Sequence, residues 1–501
     1  MGRWRAAAAL VAAGVIGAAL VPAGPAVAVH GAVPGDFNGD GYRDLVLPAP
    51  GADVAGQRHA GAVVVVYGSR SGFRADRYQK ISQNAPGVPG TSEGWDRFGS
   101  ATATADLNRD GYADLVVSAP YEDVTRDDNR GVVTVLWGSR SGLGRGTNLP
   151  SPGRSQHHGV DLAVHSAEEG DKTQLLIGGL SGTAAFKGPF SRSGTFGSVT
   201  YSADAGALDS VALGDLDRNG TTDQVSLTYR THALTGGRVQ INPSGGTDWP
   251  EPLQEGNGLI AATGDVNGDG YADLVVGDPE DPRTPGVDGV TGGRVLVWRG
   301  SARGIARDAV PEQITQDTAG VPGTSEGGDT FGAGLTVADL DRDGLADIVV
   351  GAPFEDVGTV HEAGAVTVVP GRRSGPLGPG AYSFHQNTPG VPSSVEESDS
   401  FGATLAVAEL NKDGRPELII GSPTENLATG AVFVLPGGAS RPTGTGSRAF
   451  TANMFGLTQH DSTHLGGYGT IWMLMRDPEV DHGDQAPAAP GADARAGAGS
   501  E

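Results

Sequence analysis

Cysteine is absent from this chain of 501 residues, so neither a disulfide framework nor a thiolate metal site exists in it. Basic residues are scarce: 35 Lys and Arg stand against 59 Asp and Glu, a formal charge of −24. A surface of that sign repels nucleic acid and anionic membranes, which excludes both as expected partners. Long apolar runs are missing beyond the N-terminus. The stretch from Ala6 to about Val21 follows Arg3 and Arg5 and precedes the small-x-small triplet Ala26-Val27-Ala28. This pattern predicts a secretory signal peptide over residues 1–28 and a secreted, extracellular mature protein. The apolar core is short and rich in small residues, so no membrane span is expected. Cleavage would leave 33 basic residues against the 59 acidic ones, a formal charge of −26.

Glycine and proline are abundant instead, 82 and 32 residues, which argues for many turns and few helices. The acidic residues are patterned. Six times the chain carries a nine-residue loop with glycine at position 6 and oxygen-bearing side chains at positions 1, 3, 5 and 9. The residue at position 7 can add its backbone carbonyl. In this order the candidate ligands are Asp36, Asn38, Asp40, Tyr42 and Asp44; Asp106, Asn108, Asp110, Tyr112 and Asp114; Asp215, Asp217, Asn219, Thr221 and Asp223. They continue with Asp265, Asn267, Asp269, Tyr271 and Asp273; Asp339, Asp341, Asp343, Leu345 and Asp347; Glu409, Asn411, Asp413, Arg415 and Glu417. Such spacing suits a hard cation, and Ca2+ is the expected cofactor at five or six sites. EF-hands are excluded, because position 12 is apolar (Leu47, Val117, Val276, Val350) and the flanks read as strands. The loop at Glu409 is expected to be the weakest, since its longer outer side chains widen the cage.

The loops lie within longer repeats. Residues 83–124, 316–357 and 386–427 are three copies of one pattern, and each loop is followed by a Gly-bounded apolar run such as Gly131 to Gly138. Phe98 to Ala105, Leu115 to Ala119 and Val132 to Trp137 read as three strands of one unit. Tyr78 to Ser82, Glu312 to Thr315 and Tyr382 to His385 are candidates for an outer fourth. Four antiparallel strands per unit at a period near 70 residues describe a propeller blade. Six loops mark six blades, and a seventh without a loop fits at about 150–200, with Val160 to Val164 and Gln174 to Gly178 as its first strands. The expected fold is all-β, a seven-bladed propeller over residues 29–476, with a disordered tail at 477–501. Residues 446–475 are expected to complete the last blade or clasp the first.

Phe98-Gly99, Phe331-Gly332 and Phe401-Gly402 precede loops, and Ser118-Ala119-Pro120, Gly351-Ala352-Pro353 and Gly421-Ser422-Pro423 follow them. These marks resemble the FG-GAP repeats of the integrin α-subunit β-propeller, repeats that also occur in bacterial secreted proteins and in glycosylphosphatidylinositol-specific phospholipase D. The resemblance implies a calcium-binding adhesion or binding module that engages an extracellular protein or glycan, as a monomer, through the face opposite the loops. Two departures stand out: no Phe-Gly precedes Asp36, and Ala207-Leu208 stands at the corresponding place before Asp215.

That opposite face is expected to collect Glu93, Trp95 and Asp96; Tyr121, Glu122 and Asp123; Glu280 and Asp281; Glu326 and Asp329; Phe354, Glu355 and Asp356; and Glu396, Glu397 and Asp399. A hydrolase of phospholipid or glycan linkages is the alternative function, and a cell-envelope structural protein the second. Gly90-Thr91-Ser92-Glu93-Gly94 and Gly323 to Gly327 match G-x-S-x-G, but follow Pro-Gly-Val-Pro turns where a nucleophile elbow needs a strand before and a helix after. His460 and His464 are four apart in a Gly- and Thr-rich stretch without the helix that would make them a metal pair, and His157-His158 near Asp161 is similarly loose. No catalytic residue is assigned.

Overall fold

The computed structural model describes residues 31–469 apart from 71, 125–128, 153–155, 166–172, 204, 229–236, 244, 283–287 and 458–461. The signal peptide, the tail at 477–501, His460 and the turn at 168–171 lie outside the described residues. Within them the chain forms seven antiparallel sheets, each a meander of consecutive strands, spanning residues 33–81, 102–149, 161–202, 208–242, 260–314, 334–384 and 404–451. These are the blades of a propeller, numbered 1 to 7. First strands of successive blades lie against one another and form the inner ring. The second strands of blades 1, 2, 5, 6 and 7, such as Asp114–Ala119 and Asp347–Ala352, are buried at every residue, because each is covered by a neighbouring blade on both faces. The cores are therefore interblade layers. One joins Val63, Val65 and Phe98 to Leu115 and Val117, and another joins Leu45 and Val64 of blade 1 to Ile419 and Val432 of blade 7.

Blade 4 departs from the four-strand expectation. Among the described residues it has three strands, Leu208–Gly214, Asp223–Thr228 and Val239–Asn242. The segment beside the third contains Pro250 and Pro252, which have no N–H to give to a ladder, and Leu253 N–H reaches Val239 O alone at 2.9 Å.

The Phe-Gly dipeptides prove to be corners. In blade 2 the first strand begins only at Thr102, because Arg97 and Gly99 take left-handed conformations, φ 55° and 97°. Phe98 is buried between blades 1 and 2, and Gly99 N–H bonds Ser118 O at 2.8 Å. A Cβ on Gly99 would lie 2.9 Å from Ala62 O, so glycine is required there. The same corner recurs at His157-His158-Gly159, Thr330-Phe331-Gly332 and Ser400-Phe401-Gly402, each glycine N–H bonding the second strand of its blade at 2.9–3.1 Å.

The corner for blade 1 comes from the other end of the chain. His464 has φ 50°, Leu465 is fully buried, and Gly466 N–H bonds Pro48 O at 2.8 Å. Gly51 N–H also bonds Thr463 O at 3.2 Å, while Arg448–Thr451 forms the fourth strand of blade 7. Residues 446–457 complete the last blade and residues 462–469 clasp the first, closing the ring without exchanging a strand.

Candidate cation loops

All six acidic loops connect a first strand to a second, which sets them on one face of the propeller. Each is shaped by hydrogen bonds from its own backbone to its own side chains. In blade 1, Asn38 Oδ1 accepts from Asp40 N–H at 2.8 Å, Asp36 Oδ2 from Gly41 N–H at 2.8 Å, and Asp40 Oδ1 from Tyr42 N–H at 2.9 Å. The three bonds repeat in blade 2 with Asn108, Asp106 and Asp110, in blade 4 with Asp217, Asp215 and Asn219, and in blade 5 with Asn267, Asp265 and Asp269. They repeat again in blade 6 with Asp341, Asp339 and Asp343. Blade 7 keeps the bonds to Asn411 and Asp413, whereas Glu409 Oε1 accepts from Asn411 N–H at 3.2 Å instead of from the glycine. The additional methylene displaces the carboxylate from the glycine amide.

Position 6 is left-handed in every loop, φ 83° at Gly41 and 79° at Gly414. Position 4 is left-handed too, at Arg109, Arg218, Arg342 and Lys412 as well as at Gly39 and Gly268, which the sequence pattern did not single out. Gly39 and Gly268 were its only signal there.

The carboxylate at position 9 does structural work that spacing alone does not show. Asp44 is buried, with Oδ2 accepting from Phe37 N–H at 3.0 Å and Oδ1 from Gly68 N–H at 2.9 Å. It therefore ties the loop to the end of the third strand. Asp114, Asp273 and Asp347 do the same through Gly138, Gly300 and Gly371. These glycines are the far ends of the apolar runs, so the two recurring sequence elements meet at this residue. Burial is the largest influence on the position-9 acids. It pushes Asp44, Asp114, Asp223, Asp347 and Glu417 up to about 7, against the opposing pull of the backbone N–H bonds.

Other oxygens have no donor. Asp36 Oδ1, Asp339 Oδ1 and Glu409 Oε2, all at position 1, are buried without a hydrogen-bond partner, and so is Asp223 Oδ1 at position 9. In blade 4 Asp215, Asp217 and Asp223 each offer an oxygen within 4.8 Å of the others. Asp339, Asp341 and Asp347 do so in blade 6, and Glu409, Asp413 and Glu417 in blade 7. Buried anionic oxygens without donors, convergent on one point, fit a hard divalent ion. The residues that would hold it are those at positions 1, 3, 5 and 9. Elsewhere arginine takes part of the negative charge: Arg192 lies 2.6 Å from Asp110 Oδ2 and Arg299 3.2 Å from Asp273 Oδ2.

On the opposite face, several acids expected to form a recognition surface are committed to the fold. Asp96, Asp329 and Asp399 are buried and accept the N–H of Glu93, Glu326 and Glu396 at 2.5–2.8 Å. Glu122 and Glu355 accept from Gln83 and Gln316, and Glu425 from Gln386, each at 2.5 Å. Trp95 remains 42% exposed, beside His59 at a ring separation of 4.2 Å, with the Arg97 guanidinium 4.8 Å from the Tyr121 ring. The G-x-S-x-G segments are repeated turns. Ser92 N–H and Ser325 N–H each bond the side-chain oxygen of the residue eight before, Asn84 and Asp317, at 3.1 Å. His464 Nδ1 lies 3.2 Å from Pro423 O, and burial lowers both it and His158 to about 4. The histidine pairs form no metal cluster among the described residues. No described helix is long and apolar enough to cross a membrane.

Comparison with known proteins agrees with this geometry. The FG-GAP repeat family matches residues 28–66, 98–136, 257–298, 331–369 and 401–435, which are the inner strands of blades 1, 2, 5, 6 and 7. The chain is similar to phosphatidylinositol-glycan-specific phospholipase D of Bos taurus, 40% identical over 108 residues, which are 21% of this chain and 13% of that protein. The mouse protein of the same name is 32% identical over 167 residues, 33% of this chain and 18% of its own length. Integrin alpha pat-2 of Caenorhabditis briggsae is 32% identical over 189 residues, 36% of this chain and 14% of that protein. The chain thus spans less than a fifth of the length of each of these relatives. It is a seven-bladed β-propeller that carries FG-GAP repeats in five of its blades.

Proposed function

We propose that this propeller is a secreted, extracellular binding module whose blades are held rigid by Ca2+ in the loops between first and second strands, and that it engages a protein or glycan through the opposite face. The observation that carries the calcium reading is the set of buried carboxylate oxygens without donors at the heads of three loops, Asp36, Asp339 and Glu409. A buried carboxylate oxygen that lacks a donor is stabilised where a cation meets it. Extracellular modules bind Ca2+ at about 10⁻⁴–10⁻³ M, so the sites would stay filled outside a cell and act as fixed struts. Similarity to integrin alpha subunits supports a binding role. The similarity to a phospholipase D covers less than a fifth of that protein, and Ser92 and Ser325 are turn residues, so the G-x-S-x-G segments give a hydrolytic role no site.

The test is binding of residues 29–476 to arrays of glycans, cell-wall polymers and matrix proteins, in calcium and in EDTA. Selective capture lost in EDTA supports the proposal. Folded protein that captures nothing in calcium would count against a binding role.

A further inference from the structure

Blades 2, 6 and 7 each place a glutamine against a glutamate at the mouth of the loop between second and third strands, and the three copies differ in what surrounds the pair. In blade 7, Glu425 takes Gln386 Nε2 on Oε2, and Ser393 Oγ and Asn426 Nδ2, both at 3.2 Å, on Oε1. In blade 6 the positions of Ser393 and Asn426 are held by Gly323, which has no side chain, and Asp356, which is itself an acceptor. The strand register continues the contrast. Val366 pairs with Phe384 as Val432 pairs with Phe450, which aligns Thr367 with Phe433, Ser383 with Ala449 and His385 with Thr451. Blade 7 has the buried Phe433 at the position of Thr367. Blade 2 has Thr134 and Asn148 there, bonded to each other at 2.7 Å.

Blade 6 has a cavity of about 160 Å3 lined by Gln316, Glu355, Thr367, Ser383 and His385, with Ala352, Ala365 and Val357 as its apolar wall. That is the size of a cavity that admits a benzene-sized group. Gln316 Oε1 is buried without a hydrogen-bond partner, as Gln83 Oε1 and Gln386 Oε1 are in the other two copies, and His385 Nδ1 adds a second buried, unpartnered atom that those copies lack. Burial keeps His385 below its ordinary value, so its ring is neutral at pH 7. Burial, with Glu326 and Asp356 nearby, raises Glu355 despite its bond from Gln316. The lining thus offers acceptors and the Glu355 carboxylate, and it holds no lysine or arginine; its second carboxylate, Asp356, is engaged by His361 Nδ1 at 2.7 Å and by Glu362 N–H at 2.9 Å.

We propose that this cavity is a binding site for a small primary ammonium group on a short alkyl stem. The ammonium donates to Glu355, Gln316 Oε1 and His385 Nδ1, and the stem lies against Val357, Ala352 and Ala365. A neutral polyol would satisfy the orphaned acceptors but not the unmatched charge, which is why an ammonium is favoured. The source can be a free amine or a lysine side chain of a partner. The site is independent of the calcium loops, which lie at the other end of the blade.

The experiment is ligand-observed NMR on the folded protein in calcium throughout, with propylammonium, with Nα-acetyl-lysine amide and with glycerol as the neutral control. The expected result is saturable binding of propylammonium, weaker by about tenfold in Glu355→Gln, where the charge-assisted bond is lost but the shape is kept. Binding is expected to be unchanged in Glu425→Gln, the same pair without the cavity. Thr367→Phe, which installs the residue of blade 7, abolishes it. Saturation by the lysine amide as well identifies a peptide side chain as an admissible source, and saturation by propylammonium alone identifies a free amine. Equal binding of glycerol, equal loss in Glu355→Gln and Glu425→Gln, or a response that never saturates would overturn the proposal.

Discussion

The two faces of this propeller are both acidic in sequence and differ in chemistry. On the face of the strand 1–2 loops, carboxylate oxygens at Asp36, Asp339 and Glu409 are buried without donors. On the other face Asp96, Asp329 and Asp399 sit over backbone N–H groups, and Glu122, Glu355 and Glu425 over glutamine amides. A count of acids does not separate a cation site from a capped turn. The partner of each oxygen does. The loop face presents donorless oxygens that a positive ion would meet under the proposed function, whereas the acids of the opposite face are capped by their own chain, with the cavity of blade 6 lying beside one such capped pair.

Chelation is the widest way to test the contrast and carries the largest expected effect. If each loop holds Ca2+ at about ten times its Kd, each contributes about 1.4 kcal/mol, and removal of all of them would lower Tm steeply. Thermal unfolding in calcium and in EDTA reads this, and an unchanged Tm would remove the distinction between the faces. Next comes the ring closure, which belongs to the apolar corners and should ignore calcium. Leu465→Ala empties a fully buried position between blades 7 and 1, at a cost of about 2–5 kcal/mol. The loss should be the same in calcium and in EDTA; a loss confined to calcium would mean that the corner depends on the loops.

Asp343→Asn is smaller and sharper. Asparagine keeps the acceptor for Leu345 N–H and removes the charge, so stability should fall by about 1–2 kcal/mol in calcium. In EDTA it should hold or rise, since repulsion with its neighbours is relieved. Denaturant titration in both media gives the two numbers. The smallest effect belongs to the capped face. Asp399 is pushed up to about 7, first by burial and then by Glu425. An acid raised in the folded state binds its proton more tightly folded than unfolded, so its contribution is full below the unfolded value. That contribution is lost as pH rises from about 4 through about 7. In calcium, the parent should therefore lose more Tm than Asp399→Asn between about pH 5 and pH 8. Parallel curves would show that Asp399 is not protonated in the fold.

Much of this was legible in the chain because it is written six times. A loop with glycine at position 6, flanked by apolar runs of strand length, can adopt few conformations, and its repetition made the blade visible. Blade 3, without a loop, still showed Val160 to Val164 and Gln174 to Gly178 as apolar segments, and its first two strands are Asp161–His165 and Gln174–Gly179. The dual role of Asp44 was hidden, since Gly68 lies 24 residues away and meets it only across the sheet. The Phe-Gly pairs looked like the start of a strand because Phe98 is apolar and followed by alternation, while the corner is fixed by φ at Arg97 and Gly99.

By itself, then, the sequence determined the repeat, the strand order within each blade and the side chains offered to an ion, all set by local spacing and the conformational freedom of glycine. Tertiary structure alone decided that Leu465-Gly466 serves as the missing corner of blade 1. It also decided which carboxylates lose their water to a neighbour's backbone, and that blade 6 opens a cavity at Thr367 where blade 7 has Phe433. Those outcomes depend on contacts between residues far apart in the chain, and no pattern of neighbours encodes them.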